Sequence, residues 1–232
     1  MCLYIHTRTH AHAHAHAHAH AHAHTRLINR MSGIAFAYDP DGYWVEIIKR
    51  TDNHKIKNYF NFSQTMLRIK DPSKSILFYE AMGMTVVRSK NYGDFSNYFL
   101  ASIPACSSQS ESESDKSAPS VDYESLNDEE AKAKLGAMFG PVLELTHNHG
   151  TEDQEDFKHF NGNEDSRQGF GHIGFLVDDV YKACDGIREM GYGFKKEPDG
   201  GSMKGLAFAY DPDGYAIEII KRGGIEFGDK RV

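Results

Sequence analysis

Between residues 61 and 224 the apolar positions run through one succession of periods and then run through it again. Asn61 to Ile69 alternates polar and apolar, the two-residue period of a strand. Asp71-Pro72 opens a helix, with the aspartate as cap and the proline at the first helical position. Ile76, Leu77, Tyr79 and Met82 give that helix an apolar stripe, which Gly83 ends. Strands follow near 84–90 and 95–102, then a short helix over Asp128–Ala137 and a strand over 141–147, PVLELTH. The second pass starts with the strand GFGHIGFLV and a helix from Asp179 to Met190, ended by Gly191. It closes on strands near 192–196, 205–210 and 214–221. Laid without a gap, QTMLRIKDPSKSILFYEAMGM from Gln64 and HIGFLVDDVYKACDGIREMGY from His172 bring Asp71 onto Asp179, Met82 onto Met190 and Gly83 onto Gly191. Each half reads as a βαβββ module, about 61–150 and 168–224, in an α+β fold.

One segment recurs out of place. GIAFAYDPDGYWVEIIKR at 33–50 repeats GLAFAYDPDGYAIEIIKR at 205–222 with three differences. Asp-Pro-Asp-Gly at 39–42 is a tight turn between two strands. A lone two-stranded hairpin is marginal in water, so this one must dock on something. Residues 31–50 thus read as the end of a first copy whose front is missing, joined by a polar linker at 51–60 to a complete copy at 61–224. Residues 1–30, dominated by alternating His and Ala at 10–24, have too few bulky apolar side chains for a core and read as disordered or spurious low-complexity sequence. His-rich tracts also capture transition metals. CSSQSESESDKSAPS, within 105–125, reads as a mobile insertion.

Composition narrows the functional classes. A net charge of −7 and a pI near 6.0 leave no basic footprint for nucleic acid. No apolar run is long enough for a bilayer, and MCLYIHTRTH lacks the apolar stretch of a secretory signal. Cys2, Cys106 and Cys184 are too scattered for a disulfide framework or a CxxC zinc site, so the simplest compartment is the reducing cytoplasm.

Chemistry enters at matched positions of the two modules. Gln64 and His172 open the first strands, and Glu144 and Glu218 sit among apolar neighbours on the last. Taken singly, each glutamate is an outward-facing surface acid and His172 a satisfied core histidine. Taken together, one amide, one imidazole and two carboxylates suit zinc, nickel or cobalt in an open catalytic site.

QTMLRIKDPSKSILFYEAMGM, FSNYFLA, LELTHNHGTED, HFNGN, GFGHIGF, DDVYKAC and MKGLAFAYDPDGYAIEI spread over nearly all of 62–221. At these residues the chain resembles the glyoxalase I (lactoylglutathione lyase) family of the vicinal-oxygen-chelate superfamily. The resemblance implies paired βαβββ modules curled into a half-open barrel around a metal. It implies Gln64, Glu144, His172 and Glu218 as the metal ligands, with zinc expected over nickel or cobalt. It implies Arg68 and Asn148 at the γ-glutamyl end of glutathione and Lys196 near the glycyl carboxylate. Phe95, Phe99, Met203, Leu206 and Phe208 would line the reacting carbons, with ordinary core as the alternative for Phe99 and Leu206. The family commonly has an Arg directly before Gly-Phe-Gly-His. Here Gln168 stands there and Arg167 is displaced by one residue, a slip that turns a side chain to the other strand face. Glu46 of the remnant matches Glu218, without a histidine to match His172.

The implied reaction is isomerisation of the methylglyoxal–glutathione hemithioacetal to S-lactoylglutathione, which detoxifies methylglyoxal. Glu218 is expected to take the proton from the carbon bearing sulfur, with Glu144 its near-symmetric partner and a metal as Lewis acid. In this family the Gln and first Glu come from one module and the His and last Glu from another. The four ligands are therefore expected to meet through module pairing in a homodimer. Two rivals stand beside this reading. One is an impaired truncated fragment that binds metal only. The other is a further enzyme of the superfamily, such as an extradiol dioxygenase, whose two-His-one-carboxylate iron site is at odds with Gln64, Arg68 and Asn148.

Overall fold

The computed structural model describes residues 2–3, 33–49, 61–103, 123, 125–138, 140–164 and 167–224. The His-Ala tract, the 51–60 linker and nearly all of the 105–125 insertion lie outside the described residues. Near the start of the chain, β1 (Cys2–Leu3) pairs in parallel with β3 (Trp44–Ile48), which pairs antiparallel with β2 (Ile34–Tyr38). The turn of this hairpin is closed locally. The Asp39 carboxylate accepts the N–H groups of Asp41 and Tyr43, and Gly42 takes a φ of +87° that a side chain would resist.

The first module comprises β4 (Gln64–Ile69), α1 (Pro72–Ala81), β5 (Met84–Asn91), β6 (Phe95–Ser102), α2 (Asp128–Ala137) and β7 (Val142–Asn148), with sheet order β4-β7-β6-β5. A short ribbon of β8 (Asn163–Glu164) and β9 (Arg167–Gln168), which no periodicity signalled, leads to the second module. That module comprises β10 (His172–Val177), α3 (Val180–Glu189), β11 (Phe194–Lys196), β12 (Leu206–Tyr210) and β13 (Ala216–Lys221), in the order β10-β13-β12-β11. The two sheets share one register as well as one order. Met66 lies opposite Glu144, and Gly174 opposite Glu218. The faint sequence repeat is thus a structural repeat.

Helix ends follow local chemistry. Asp71 and Asp179 accept the N–H groups of Ser73 and Lys182, and α2 starts on a reciprocal Asn127–Glu130 capping box. The strand expected from Gly169 begins only at His172, because Gly169 donates its N–H to the Gly162 carbonyl instead. Gly162 has positive φ, and a Cβ there would lie 2.4 Å from the Phe170 nitrogen, so this backbone crossing requires glycine.

One core serves both modules. Phe78 and Tyr79 of α1 and Val180, Cys184 and Ile187 of α3 pack with Leu67, Ile69, Leu145, Ile217 and Ile219, without a residue of 33–49. Phe78 meets the Tyr192 ring edge-on at 5.0 Å, and Tyr79 stacks on Phe175 at 6.4 Å. A buried polar lock reinforces the contact. The Tyr79 hydroxyl donates to Asp211 at 2.7 Å, while Asp213 accepts from the Lys70 N–H at 2.8 Å and the Ser75 hydroxyl at 3.1 Å. Burial pushes the Asp211 carboxyl up to about 7. None of the described helices is long and apolar enough to cross a membrane.

Candidate active site

Strand alternation places Gln64, Met66 and Arg68 on one face of β4, and Val142, Glu144 and Thr146 on the matching face of β7. On β6 the neighbours are Phe99 opposite Glu144, Asn97 opposite Thr146 and Phe95 opposite Asn148. Glu144 is not an outward-facing acid: it is 7 % exposed. Its two oxygens accept the amide N–H groups of Gln64 and Asn97, each at 2.5 Å, and the Thr146 hydroxyl donates to the Asn97 carbonyl at 3.1 Å. Gln64 also donates to Glu46 of the hairpin at 33–49, at 3.2 Å. Burial, and then the neighbouring Glu46 charge, push the Glu144 carboxyl up to about 7.

The second module presents His172 and Glu218. His172 Nε2 lies 3.1 Å from Glu218 Oε2, with side-chain exposures of 46 % and 18 %. The Phe208 ring meets the imidazole edge-on at 5.2 Å. Beside them opens a cleft of about 510 Å³, lined by His172, Phe208, Ala216, Lys196, Phe170 and Gln168, among others. Lys196 hydrogen-bonds through its ammonium to the Leu206 carbonyl at 2.6 Å.

The remaining expected contacts are placed unevenly. Arg68 is exposed; its backbone hydrogen-bonds Tyr215, and its guanidinium makes no hydrogen bond or ion pair among the described residues. Asn148 is exposed at the end of β7, and Met203 is exposed too. Phe95 is half-buried and stacked on Tyr92 at 4.8 Å. Phe99 packs with Val87, Ala101 and Val142 against Leu135 and Met138 at α2, which is core packing. Leu206 is 2 % exposed. Arg167 falls in β9, with its side chain outside the described residues, and Gln168 lines the cleft in its stead.

The structure therefore unites Gln64, Glu144 and Glu46 on one sheet face and His172 with Glu218 on another. Among the described residues no group of three or more His, Cys, Asp or Glu side chains is gathered closely enough to hold a metal ion. The donor chemistry nevertheless fits a divalent cation. Two carboxylates crowd one amide, and the second half contributes an imidazole and a carboxylate. Sequence reasoning missed Asn97 and Thr146. The available signal was a polar residue midway between Phe95 and Phe99 on a face read as apolar. Replacing Asn97 by Ala removes one of the two amide donors that orient Glu144. It is expected to weaken zinc retention about tenfold, read by competition with a chromogenic chelator.

The hairpin at 33–49 differs from its twin where the cleft is lined. Trp44 stands where Ala216 lines the cleft, and its ring packs against Phe36 at 5.3 Å and Tyr38 at 6.0 Å.

The sequence profile of the Glyoxalase/Bleomycin resistance protein/Dioxygenase superfamily matches residues 61–219. The lactoylglutathione lyase of Schizosaccharomyces pombe is 38 % identical over 197 residues, covering 83 % of this chain and 56 % of that relative. The lactoylglutathione lyase of Pseudomonas aeruginosa is 40 % identical over 169 residues, covering 72 % of this chain and 85 % of the relative. The crystal structure of glyoxalase I from Zea mays superposes with a TM-score of 0.51 at 26 % identity, covering 81 % of this chain and 53 % of that one. The chain spans about half the length of the fungal relatives it matches. Shared order and register of two βαβββ sheets, and a profile match across both, place this chain in the Glyoxalase/Bleomycin resistance protein/Dioxygenase superfamily.

Proposed function

We propose that this chain isomerises the hemithioacetal of methylglyoxal and glutathione to S-lactoylglutathione in the cytoplasm, using zinc held by Gln64, Glu144, His172 and Glu218. One observation carries the reading. Gln64 with Glu144, and His172 with Glu218, occupy equivalent register positions on two equivalent sheets, and four relatives that match most of this chain are named lactoylglutathione lyase or glyoxalase I. A bound divalent ion would supply Lewis-acid stabilisation of the charge that develops on the substrate's paired oxygens. Glu218 takes the proton from the carbon bearing sulfur and returns it to the neighbouring carbon. Arg68 and Asn148 hold the γ-glutamyl end. Lys196 at the cleft edge attracts the glycyl carboxylate, and Phe208 shields the reacting carbons from water. The four ligands meet when the β4–β7 face of one chain pairs with the β10–β13 face of another, giving a homodimer with two equivalent sites. Residues 31–50 are the end of a first copy.

The impaired-fragment reading has its own support, because Glu46 accepts from Gln64, and among the described residues no three His, Cys, Asp or Glu side chains gather closely enough to hold a metal ion. A thioester-formation assay with methylglyoxal and glutathione separates the two, run with zinc and with chelator over a range of protein concentrations. Turnover that needs zinc and whose specific activity rises with concentration supports the enzyme. Zinc bound without turnover at any concentration supports the fragment.

A further inference from the structure

We infer that residues 33–49 are a built-in competitor that occupies the β4–β7 face and withholds it from the β10–β13 face of a second copy of this chain. The inference rests on the proposed function only for where the four ligands meet.

Fifteen of eighteen residues are shared between the hairpin at 33–50 and the one at 205–222. Their registers are also identical. Phe36 lies opposite Glu46 as Phe208 lies opposite Glu218. Two surfaces this similar recognise the same partner surface. For the first hairpin that partner is the β4–β7 face: the Glu46 carboxylate accepts from Gln64, the amide that also holds Glu144. The hairpin reaches the second module as well, since a Cβ on Gly169 would lie 3.5 Å from the Tyr43 hydroxyl. Glu218 meanwhile lies 3.1 Å from a half-exposed His172, which lines an open cleft. It has the complementary surface but no β4–β7 face to meet within its own chain.

The contest is between a weak tethered binder and a stronger free one. The hairpin is absent from the shared core, Val45 is its one buried apolar side chain, and Phe36, Tyr38 and Trp44 each stay more than half exposed, so its own grip is limited. Ten residues join it to the complete copy, and a short tether holds a segment at a local concentration on the order of 1 mM. At about 1 μM protein, a second chain must then bind the face roughly a thousandfold better than the hairpin to displace it. The second chain brings an imidazole with its carboxylate, which the hairpin lacks.

The test is solution mass by light scattering, in chelator and in zinc, for the full chain, the full chain with Glu46→Ala, and residues 57–232, which retain the whole shared core. The full chain is expected to stay monomeric over concentrations at which 57–232 dimerises. Glu46→Ala removes one charge-assisted hydrogen bond and should lower the dimerisation midpoint roughly tenfold. Equal masses for Glu46→Ala and parent at every concentration overturn the inference, including when 57–232 fails to fold. A dimer of 57–232 without turnover leaves the competitor standing and sinks the catalytic reading. Turnover by the full chain with the same concentration dependence as 57–232 does the reverse.

Discussion

Glu218→Gln is expected to lower turnover by about three orders of magnitude, while the unfolding midpoint stays within about two degrees of the parent. The substitution keeps the shape of the side chain and its contact with His172, and removes only its capacity to take a proton. We take Glu218 rather than Glu144 as the principal base on the difference in their hydrogen bonding. Both Glu144 oxygens are tied to amide donors, Gln64 and Asn97, in a buried setting. Glu218 is partly exposed and is paired with one imidazole, that of His172, which lines the cleft. A base that must move onto a carbon-bound proton needs such freedom. Full activity in the variant, measured at saturating hemithioacetal with zinc content verified, would reject the assignment. A loss confined to KM would instead make Glu218 a binding group.

The second large effect concerns stability and pH. In chelator, the unfolding free energy is expected to fall between about pH 4 and pH 7 and to level off above. Asp211 is pushed by burial from 3.8 up to about 7, and Glu144 by burial and Glu46 from 4.5 up to about 7. Both folded values lie above the unfolded ones, so the folded chain binds more protons in that window. Stability is then greatest at the acid end and is lost as pH rises through the window. The Asp211 shift corresponds to on the order of 4 kcal/mol and the Glu144 shift to on the order of 3 kcal/mol. Asp211→Asn keeps an oxygen for the Asp213 and Tyr215 N–H groups, and the Tyr79 hydroxyl can turn to accept from the new amide. The variant should therefore lose roughly half of the slope and be more stable than the parent above pH 7. Denaturant unfolding at pH 5, 6, 7 and 8 reads this directly, and an unchanged slope would show that Asp211 is not the group responsible. Bound zinc should remove the Glu144 share and leave that of Asp211.

Much of the architecture was legible because its causes are local. Asp71, Asp179 and the Asn127–Glu130 pair begin helices through bonds within one turn, and Gly83 and Gly191 end two of them by accepting positive φ. The Asp-Pro-Asp-Gly turns close on their own aspartates. The equivalence of Gln64 with His172, and of Glu144 with Glu218, followed from an ungapped repeat, since strand period and helix length fix which residue meets which across a sheet. Asn97 was less legible. Its value lies in a bond to Glu144 on a neighbouring strand, and only pairing brings the two together.

The sequence by itself determined two βαβββ modules, their caps and turns, a second copy of one hairpin, and the matched positions of Gln64, His172, Glu144 and Glu218. The tertiary structure decided which carboxylate meets which amide and which of two identical turns is buried. Tyr-Asp-Pro-Asp-Gly occurs at 38–42 and at 210–214. In the second it places Asp211 against Tyr79 and Asp213 against Lys70 and Ser75, while in the first Asp41 is exposed and Asp39 only partly covered. Turn geometry depends on residues within hydrogen-bond reach along the chain, so both copies form it. Burial, a raised carboxyl pKa and a filled half-site depend on what lies across the interface, and a local pattern carries no record of that neighbour.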